Sequence, residues 1–329
     1  MAAARTVLAV LCDQQRPPDM QRIETLAEVR YADAANLVDA VRGAEALLVW
    51  DFLSTAVADA WPHADRLRWI HIASAGVDRL LFPELVDSSV VLTNSRGVFD
   101  RPIAEYVLGL ILAIAKDLGS TLGLQRERTW THRESRCIES AQALVVGTGS
   151  IGRATGRLLR AAGMTVTAVG RTARSQDPDF GAVHSSEDLA ALLPAADYVI
   201  VTAPLTDSTR GMLDAYAFGR MKSSAWLVNV GRGAIVVEAD LLHALESGQI
   251  GGAALDVFDE EPLPPDHPLW ALPNVVVSPH MSGDVVGWLR ALVALFTENF
   301  DRWQAGEPLR NVVDKSAGFV ATGCSSAHE

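Results

Sequence analysis

Apolar residues along this chain come in short continuous runs, each followed by a stretch with helical spacing. One set of runs lies at 7–11, 46–49, 69–72 and 90–93. A second set lies at 143–146, 165–169, 198–202, 225–229, 252–255 and 275–278. Runs this short read as strands, and their continuity predicts strands covered on both faces. Helical patterns such as 151–162 and 238–247 sit between them. Strands alternating with helices predict an α/β fold with parallel sheets. Two longer helices are predicted. One runs over 102–119, with Pro102 in its first turn and Asp100 as its N-cap. The other runs over 284–305 and stops before Gly306 and Pro308. They flank the second set of strands. The first domain is therefore expected to be discontinuous, over 1–100 and again over 283–316, around a second domain at 101–282. The small, polar stretch 317–329 is expected to be a flexible tail.

The 329 residues are about two domains' worth, with 49% apolar and 21% charged residues, ordinary for a folded protein in water. The formal charge of −12 argues against a general nucleic-acid binder, because the phosphate backbone is met with Lys and Arg. It leaves room for a local basic pocket. Cys12, Cys137 and Cys324 are far apart, with no CxxC and no histidine-rich spacing. That pattern predicts free thiols in a reducing, cytoplasmic setting and no metal site. The longest apolar run, 106–115, is half a membrane span, so no membrane association is expected. The apolar stretch in 4–13 is read as a first buried strand rather than a signal peptide.

The strongest local signal is the strand 143–146 running into Gly147-Thr148-Gly149-Ser150-Ile151-Gly152, with a helical pattern directly after it. In this GxGxxG turn Gly147 permits the tight bend, and Gly149 lets the backbone approach a pyrophosphate. Gly152 lets helix and strand pack closely. The helix start, with Ser150 and Ile151, offers N–H groups and partial positive charge to the phosphates. The flanking strands and helix supply the context such a motif requires. An NAD enzyme places a carboxylate about 20 residues further on for the ribose 2′-hydroxyl. Here the chain reads Gly170-Arg171-Thr172-Ala173-Arg174, and no carboxylate occurs before Asp177. Arg171 and Arg174 suit a 2′-phosphate instead. The expectation is NADP(H) preferred, with NAD(H) possible; the alternative is two solvated arginines at a loop start.

Three ionisable residues follow later strands: Arg232 in Asn229-Val230-Gly231-Arg232-Gly233, Glu261 in Glu260-Glu261-Pro262, and His280 in Ser278-Pro279-His280. Ligands of open α/β sheets bind beyond the carboxyl ends of strands. An arginine there can fork onto a carboxylate and polarise the neighbouring carbonyl. A histidine can pass a proton to the carbonyl oxygen as hydride arrives. A carboxylate against an imidazole holds its orientation and favours its protonated form. Together they suit reduction of a 2-oxo acid. Each residue alone would more often be a surface or structural group; Asp259 and Glu260 compete with Glu261, and Asp256 could simply cap a turn.

Over roughly 45–312 the sequence resembles the D-isomer-specific 2-hydroxyacid dehydrogenase family, which includes glyoxylate/hydroxypyruvate reductases. The resemblance rests on Ser74-Ala75-Gly76-Val77-Asp78, Thr93-Asn94-Ser95-Arg96-Gly97-Val98, the glycine loop, Ala203-Pro204-Leu205-Thr206, Asn229 to Gly233, Leu255-Asp256-Val257-Phe258 with Glu261-Pro262, and Ser278-Pro279-His280. It implies two Rossmann-like or flavodoxin-like domains that close over cofactor and substrate. It also implies Arg232 as binder of the substrate carboxylate, His280 as acid/base and Glu261 as its partner. Backbone N–H groups around Ala75 and Gly76 would complete the carboxylate site. Asp256 would hold the nicotinamide carboxamide, while Ala203, Pro204 and Val230 would line the cofactor. A homodimer through the cofactor domain, near helix 102–119, is implied as well. The chain departs from the family pattern at Glu139-Ser140-Ala141-Gln142, which lacks a Gly-Lys lead-in. It departs again at Met281-Ser282-Gly283-Asp284, where a Gly-Ser or Gly-Ala pair is common. The second departure bears on the substrate pocket. A small-molecule 2-oxo or 2-hydroxy acid is the expected partner. The alternative is a nucleotide-sensing, corepressor-like binding protein on the same fold.

Overall fold

The computed structural model describes residues 5–320. The chain divides into two compact units, one holding the residues up to Phe99 and those from Val285 on, the other Asp100–Asp284. The fold class is α/β with parallel sheets, and the first unit is discontinuous in sequence.

In the first unit, β1 (Thr6–Leu11), β2 (Ala27–Ala32), β3 (Ala46–Val49), β4 (Trp69–Ile72) and β5 (Val91–Asn94) form a parallel sheet in the order β2-β1-β3-β4-β5. This is a doubly wound order with its reversal at β1 and β3. β3 and β4 are buried at every position, as continuous apolar runs require. Leu11, Leu37, Leu47, Ile70, Ile72 and Leu85 belong to one core cluster. The returning helix Trp288–Ala305 stacks Phe296 on Trp69 at 5.4 Å, with Phe300 beside it. Beyond that helix, Lys315 Nζ donates to the carbonyls of Leu85, Ser88 and Val90 at 2.6 to 3.0 Å, pinning the last described segment to the loop before β5.

In the second unit, β6 (Gln142–Val146), β7 (Thr165–Gly170), β8 (Arg174–Asp177), β9 (Gly181–Ser185), β10 (Tyr198–Val201), β11 (Trp226–Asn229), β12 (Gly252–Leu255) and β13 (Val275–Val277) form one sheet. Its order is β13-β12-β11-β10-β6-β7-β9-β8, parallel except for the β8–β9 pair. The strand order reverses between β6 and β10, which places a ligand crevice at their carboxyl ends.

Three strands escape the apolar-run pattern. β2 lies at one edge of its sheet, and β8 and β9 at one end of the other. Edge strands need no continuous apolar run, and these carry polar residues such as Glu28, Arg30, Gln176 and His184. The helix expected over 102–119 is instead two helices, Asp100–Ala115 and Leu118–Arg126, bent by 63°. The break falls at Asp117, whose φ of 48° is left-handed and cannot continue a right-handed helix. The second long helix begins at Trp288, four residues later than expected, because Gly287 with φ 91° turns the chain just before it. Asp100 is the first helical residue rather than an outside cap. Of the expected tail, residues 317–320 are described and run partly as a turn, while 321–329, including Cys324, lie outside the described residues. Among the described residues, no single helix is long and apolar enough to cross a membrane.

Candidate active site

The glycine loop leaves β6 at Val146, and two of its three glycines, Gly147 and Gly152, are required sterically. Gly147 has φ 111°, and a Cβ there would lie 2.5 Å from Ala203 N. A Cβ on Gly152 would lie 2.0 Å from Gly147 O. Thr202 Oγ1 donates to Gly147 O at 3.0 Å and ties the loop to the end of β10. Helix Ser150–Ala161 starts from Gly149 without any side-chain cap. Its first-turn N–H groups, including those of Ser150 and Ile151, have no earlier helical turn to donate to. A bare helix start behind this turn, with open space over Gly149, fits a pyrophosphate. Ser150 Oγ donates to Asp100 Oδ1 at 2.9 Å, so the carboxylate expected to cap its own helix serves the neighbouring one.

At the far end of β7, Arg171 and Thr172 are exposed in the turn. Arg174 opens β8 and donates from Nη2 to Thr148 Oγ1 in the glycine loop at 3.1 Å. Asp177 is taken up by Arg153 from the first helical turn at 2.8 and 2.9 Å. At the ends of β10 and β11, Ala203 and Val230 are buried and Pro204 is exposed.

The chemistry-bearing residues sit on loops after β11, β12 and β13. The Asn229 side chain shapes the first of these loops. Its Oδ1 accepts from Gly231 N–H and its Nδ2 donates to Arg232 O, both at 3.0 Å. Arg232, half-buried, donates from Nη1 to Gly231 O at 2.8 Å. Next to it, a Cβ on Gly233 would fall 1.9 Å from Phe258 C, so the loop after β11 lies against the loop after β12. Phe258 N–H donates to Glu261 Oε1 at 3.0 Å, and Glu261 Oε2 lies 2.9 Å from His280 Nδ1. Burial would push the Glu261 carboxyl up. The hydrogen bonds from His280 and Phe258, with the charge of Arg232 nearby, outweigh it and hold the group below the ordinary carboxylate value. An ionised carboxylate only accepts, so Nδ1 carries a proton and Nε2 is the atom left to face a reactant.

His280 has φ 51°, in the left-handed region. Asp256 stabilises the turn that puts it there. Fully buried, this carboxylate accepts from Ser278 Oγ at 2.6 Å and from the N–H groups of Met281 and Ser282 at 3.0 and 2.9 Å. Both donors at Met281 and Ser282 are backbone N–H groups, so the side chains of the departure stay out of this turn's hydrogen bonds to Asp256. Tyr106, on helix Asp100–Ala115, lies near Ser278 and Asp256. Burial and the nearby Asp256 charge push its hydroxyl up.

Arg232, Glu261 and His280 thus come together in the second unit, as do the glycine loop, Arg174, Ala203, Val230 and Asp256 with their own neighbours. Ala75 and Gly76 belong to the first unit, after β4. Their carbonyls accept from Asn94 Nδ2 and Ser74 Oγ, both at 2.6 Å. Among the described residues their N–H groups have no hydrogen-bond partner. Trp50 is buried, Trp288 packs on Phe99 and Trp130 is fully exposed. Sequence reasoning missed Asn229, Tyr106 and the Arg153–Asp177 pair. Only Asn229 had a local signal, an amide at a strand end followed by glycine. Among the described residues, no group of three or more His, Cys, Asp or Glu could hold a metal ion.

The family model for the D-isomer specific 2-hydroxyacid dehydrogenase, NAD binding domain, matches residues 108–282. A glyoxylate reductase of Thermofilum pendens is 31% identical over 283 residues, covering 84% of this chain and 83% of that protein. A D-isomer specific 2-hydroxyacid dehydrogenase of Xanthobacter autotrophicus Py2, solved with NADPH and MES, is 31% identical with a TM-score of 0.81, over 96% of this chain and 100% of that one. An NADPH-dependent glyoxylate/hydroxypyruvate reductase of Sinorhizobium meliloti, solved with NADP and sulfate, is 28% identical with a TM-score of 0.81 over the same shares.

Proposed function

Because the chain belongs to the D-isomer specific 2-hydroxyacid dehydrogenase family, a family of nicotinamide-nucleotide enzymes, we propose that it reduces a 2-oxo acid to the D-2-hydroxy acid with NADPH. The observation that carries this reading is the Glu261–His280 hydrogen bond of 2.9 Å beside Arg232. When bound, the reduced nicotinamide supplies the hydride to the carbonyl carbon. The chain's own residues do the rest. Arg232 binds the substrate carboxylate and draws electron density from the neighbouring carbonyl. His280 Nε2 passes its proton to the carbonyl oxygen, so the two-electron reduction ends at a neutral hydroxyl. Glu261 holds the imidazole in one orientation through Nδ1. In the first unit, the unpartnered N–H groups of Ala75 and Gly76 are assigned as donors to a carboxylate.

The residues of the cradle fit the pyrophosphate of a dinucleotide. Gly147, Gly149, Ser150, Ile151 and Gly152 would hold it, with Ala203, Pro204 and Val230 along the strand ends and Asp256 beside the nicotinamide. Arg171, Thr172 and Arg174 support NADP(H) over NAD(H), because no unpaired carboxylate stands where the ribose 2′-hydroxyl would need one. The named relatives are reductases and dehydrogenases, and nothing observed favours the corepressor-like reading. We place the protein in the cytoplasm as a homodimer. The support for a dimer is the exposure of Leu112, Leu118, Leu122 and Trp130 on and after the bent helix pair.

The test is oxidation of NADPH and NADH by the purified protein against glyoxylate, hydroxypyruvate, pyruvate and bulkier 2-oxo acids. Turnover should favour NADPH and fall by about 10²- to 10⁴-fold in His280→Ala, the usual worth of general acid catalysis. Replacing Arg171 and Arg174 together with Ala should weaken NADPH far more than NADH. No turnover on any member of the panel, with tight cofactor binding, would end the reductase reading.

A further inference from the structure

Asp177 is the first carboxylate after β7, in the region where an NAD enzyme keeps an acceptor for the ribose. Its surroundings give it a different task. Its side chain is 2% exposed. Oδ1 accepts from Arg153 Nη1 at 2.9 Å and from the N–H groups of Asp179 and Phe180 at 3.0 and 3.2 Å. Oδ2 accepts from Arg153 Nη2 at 2.8 Å and from Arg174 Nε at 3.2 Å. Little of this carboxylate remains for a ribose hydroxyl. Arg153 is itself locked, because Nη1 also reaches Asp179 Oδ2 at 2.7 Å, and Asp179 is held in turn by Arg157 at 2.8 Å.

Arg174 is the member of this network that reaches the glycine turn. Its Nε is held by Asp177 and its Nη2 by Thr148 Oγ1, while Nη1 has no partner among the described residues. Its side chain is 36% exposed. Thr148 is the middle residue of the glycine turn, and a Cβ on Gly170 would lie 2.7 Å from its Oγ1, so the turn and the end of β7 are in contact. A guanidinium gripped along one edge has lost most of its rotamer freedom before a ligand arrives. It stands beside the phosphate-binding turn with a free edge.

We propose that Asp177 is a positioning residue for 2′-phosphate recognition: neutralised by Arg153, it holds Arg174 against Thr148 so that the free guanidinium edge meets the phosphate that distinguishes NADP(H) from NAD(H). This rests on the NADP(H) reading above and adds which arginine does the reading and what aims it. Arg171, exposed in the turn, is the lesser contributor. The carboxylate does not repel the phosphate, because two guanidinium groups already share its charge.

The test uses the full-length protein and two adenosine probes, adenosine 2′,5′-bisphosphate and 5′-AMP, in calorimetric titrations, together with KM for NADPH and for NADH. In Asp177→Asn, affinity for the bisphosphate should fall at least tenfold while 5′-AMP changes less than twofold, and KM should rise for NADPH alone. Thr148→Val leaves the Asp177 pair in place and removes only one grip on Arg174. It should show a smaller loss, about threefold, in the same direction. Arg174→Lys keeps the charge without the fork and should also lose the bisphosphate selectively. Thr148→Val and Arg174→Lys carry the test if Asp177→Asn does not fold. Equal loss of both probes, or no loss of either, would show a merely structural carboxylate and overturn the inference while leaving NADP(H) preference standing. A wild-type protein that binds both probes equally would overturn the NADP(H) reading itself.

Discussion

His280 reaches its position through two carboxylates, Asp256 and Glu261. Asp256 gathers three donors from the turn on which the histidine sits, and the imidazole is then fixed by Glu261. A left-handed φ at a non-glycine residue is held only where the surroundings over-determine it, and here a fully buried carboxylate does so. The other conspicuous histidine has the opposite character. His71 is fully buried in β4, with Nδ1 2.8 Å from Thr93 Oγ1 and Nε2 3.3 Å from Ser95 Oγ. Trp69 Nε1–H donates to the same Thr93 oxygen at 2.8 Å. Both its neighbours are hydroxyls and no anion faces it, so burial pushes His71 down to about 3. The unfolded chain binds a proton near the ordinary histidine value of about 6.5, the native state does not, and stability therefore falls as pH drops below that value. The contribution is fully present above about 6.5 and is lost toward about 3, at up to about 1.4 kcal/mol per pH unit. Denaturant midpoints of the wild type and His71→Gln between pH 7 and pH 4 check this. The wild type should lose stability more steeply, and parallel slopes would refute it.

At the scale of elements, the site depends on how closely three loops lie rather than on any long packing face. Gly233 is where the loops after β11 and β12 touch. Gly233→Ala must push the Phe258 backbone away, carrying Arg232 apart from Glu261. We expect a loss of about 1–3 kcal/mol in stability, as for other overpacked positions, and at least a tenfold fall in kcat/KM that saturating substrate does not restore. Wild-type kinetics in this variant would mean the loops can separate freely. The elements themselves were legible where burial on both faces forces a continuous apolar run, as in β3, β4 and β10. They were illegible at sheet edges. Ala27–Ala32 alternates apolar residues with Glu28 and Arg30 because one long side of an edge strand carries no neighbour. The helix break at Asp117 was illegible for another reason. Lys116, Asp117 and Leu118 have no strong preference against helix, and the break is secured by contacts from further along, where Arg133 donates to Asp117 O and Lys116 Nζ to Arg136 O.

For the whole molecule, the exposed apolar residues are informative by where they concentrate. Leu118, Leu122 and Trp130 are 46%, 52% and 100% exposed within thirteen residues of chain; Met281, Val285 and Val286 form a second exposed group. Such a patch is expected to be covered, and a second copy of the chain is the proposed cover. Light scattering on the eluting protein should give about twice the 35.3 kDa chain mass. Leu122→Glu combined with Trp130→Glu should reduce it to one chain mass with the fold intact by circular dichroism. A wild type that elutes at one chain mass at micromolar concentration would remove the homodimer from the proposal.

The sequence by itself determined the α/β class, the buried strands, the glycine turn after β6 and the three ionisable residues that follow later strands. Each of these is written in local pattern: continuous apolar runs, glycines where a Cβ cannot fit, and charged residues directly after strands. Only the tertiary structure decided how those residues are aimed. Asp256 lies 24 residues before His280, and Asp177 lies 24 residues after Arg153. No spacing rule joins such pairs, because the sheet brings them together by strand order and register rather than by distance along the chain. The same holds for the unattached face of Trp130, which becomes visible as a surface only once its neighbours have folded away from it.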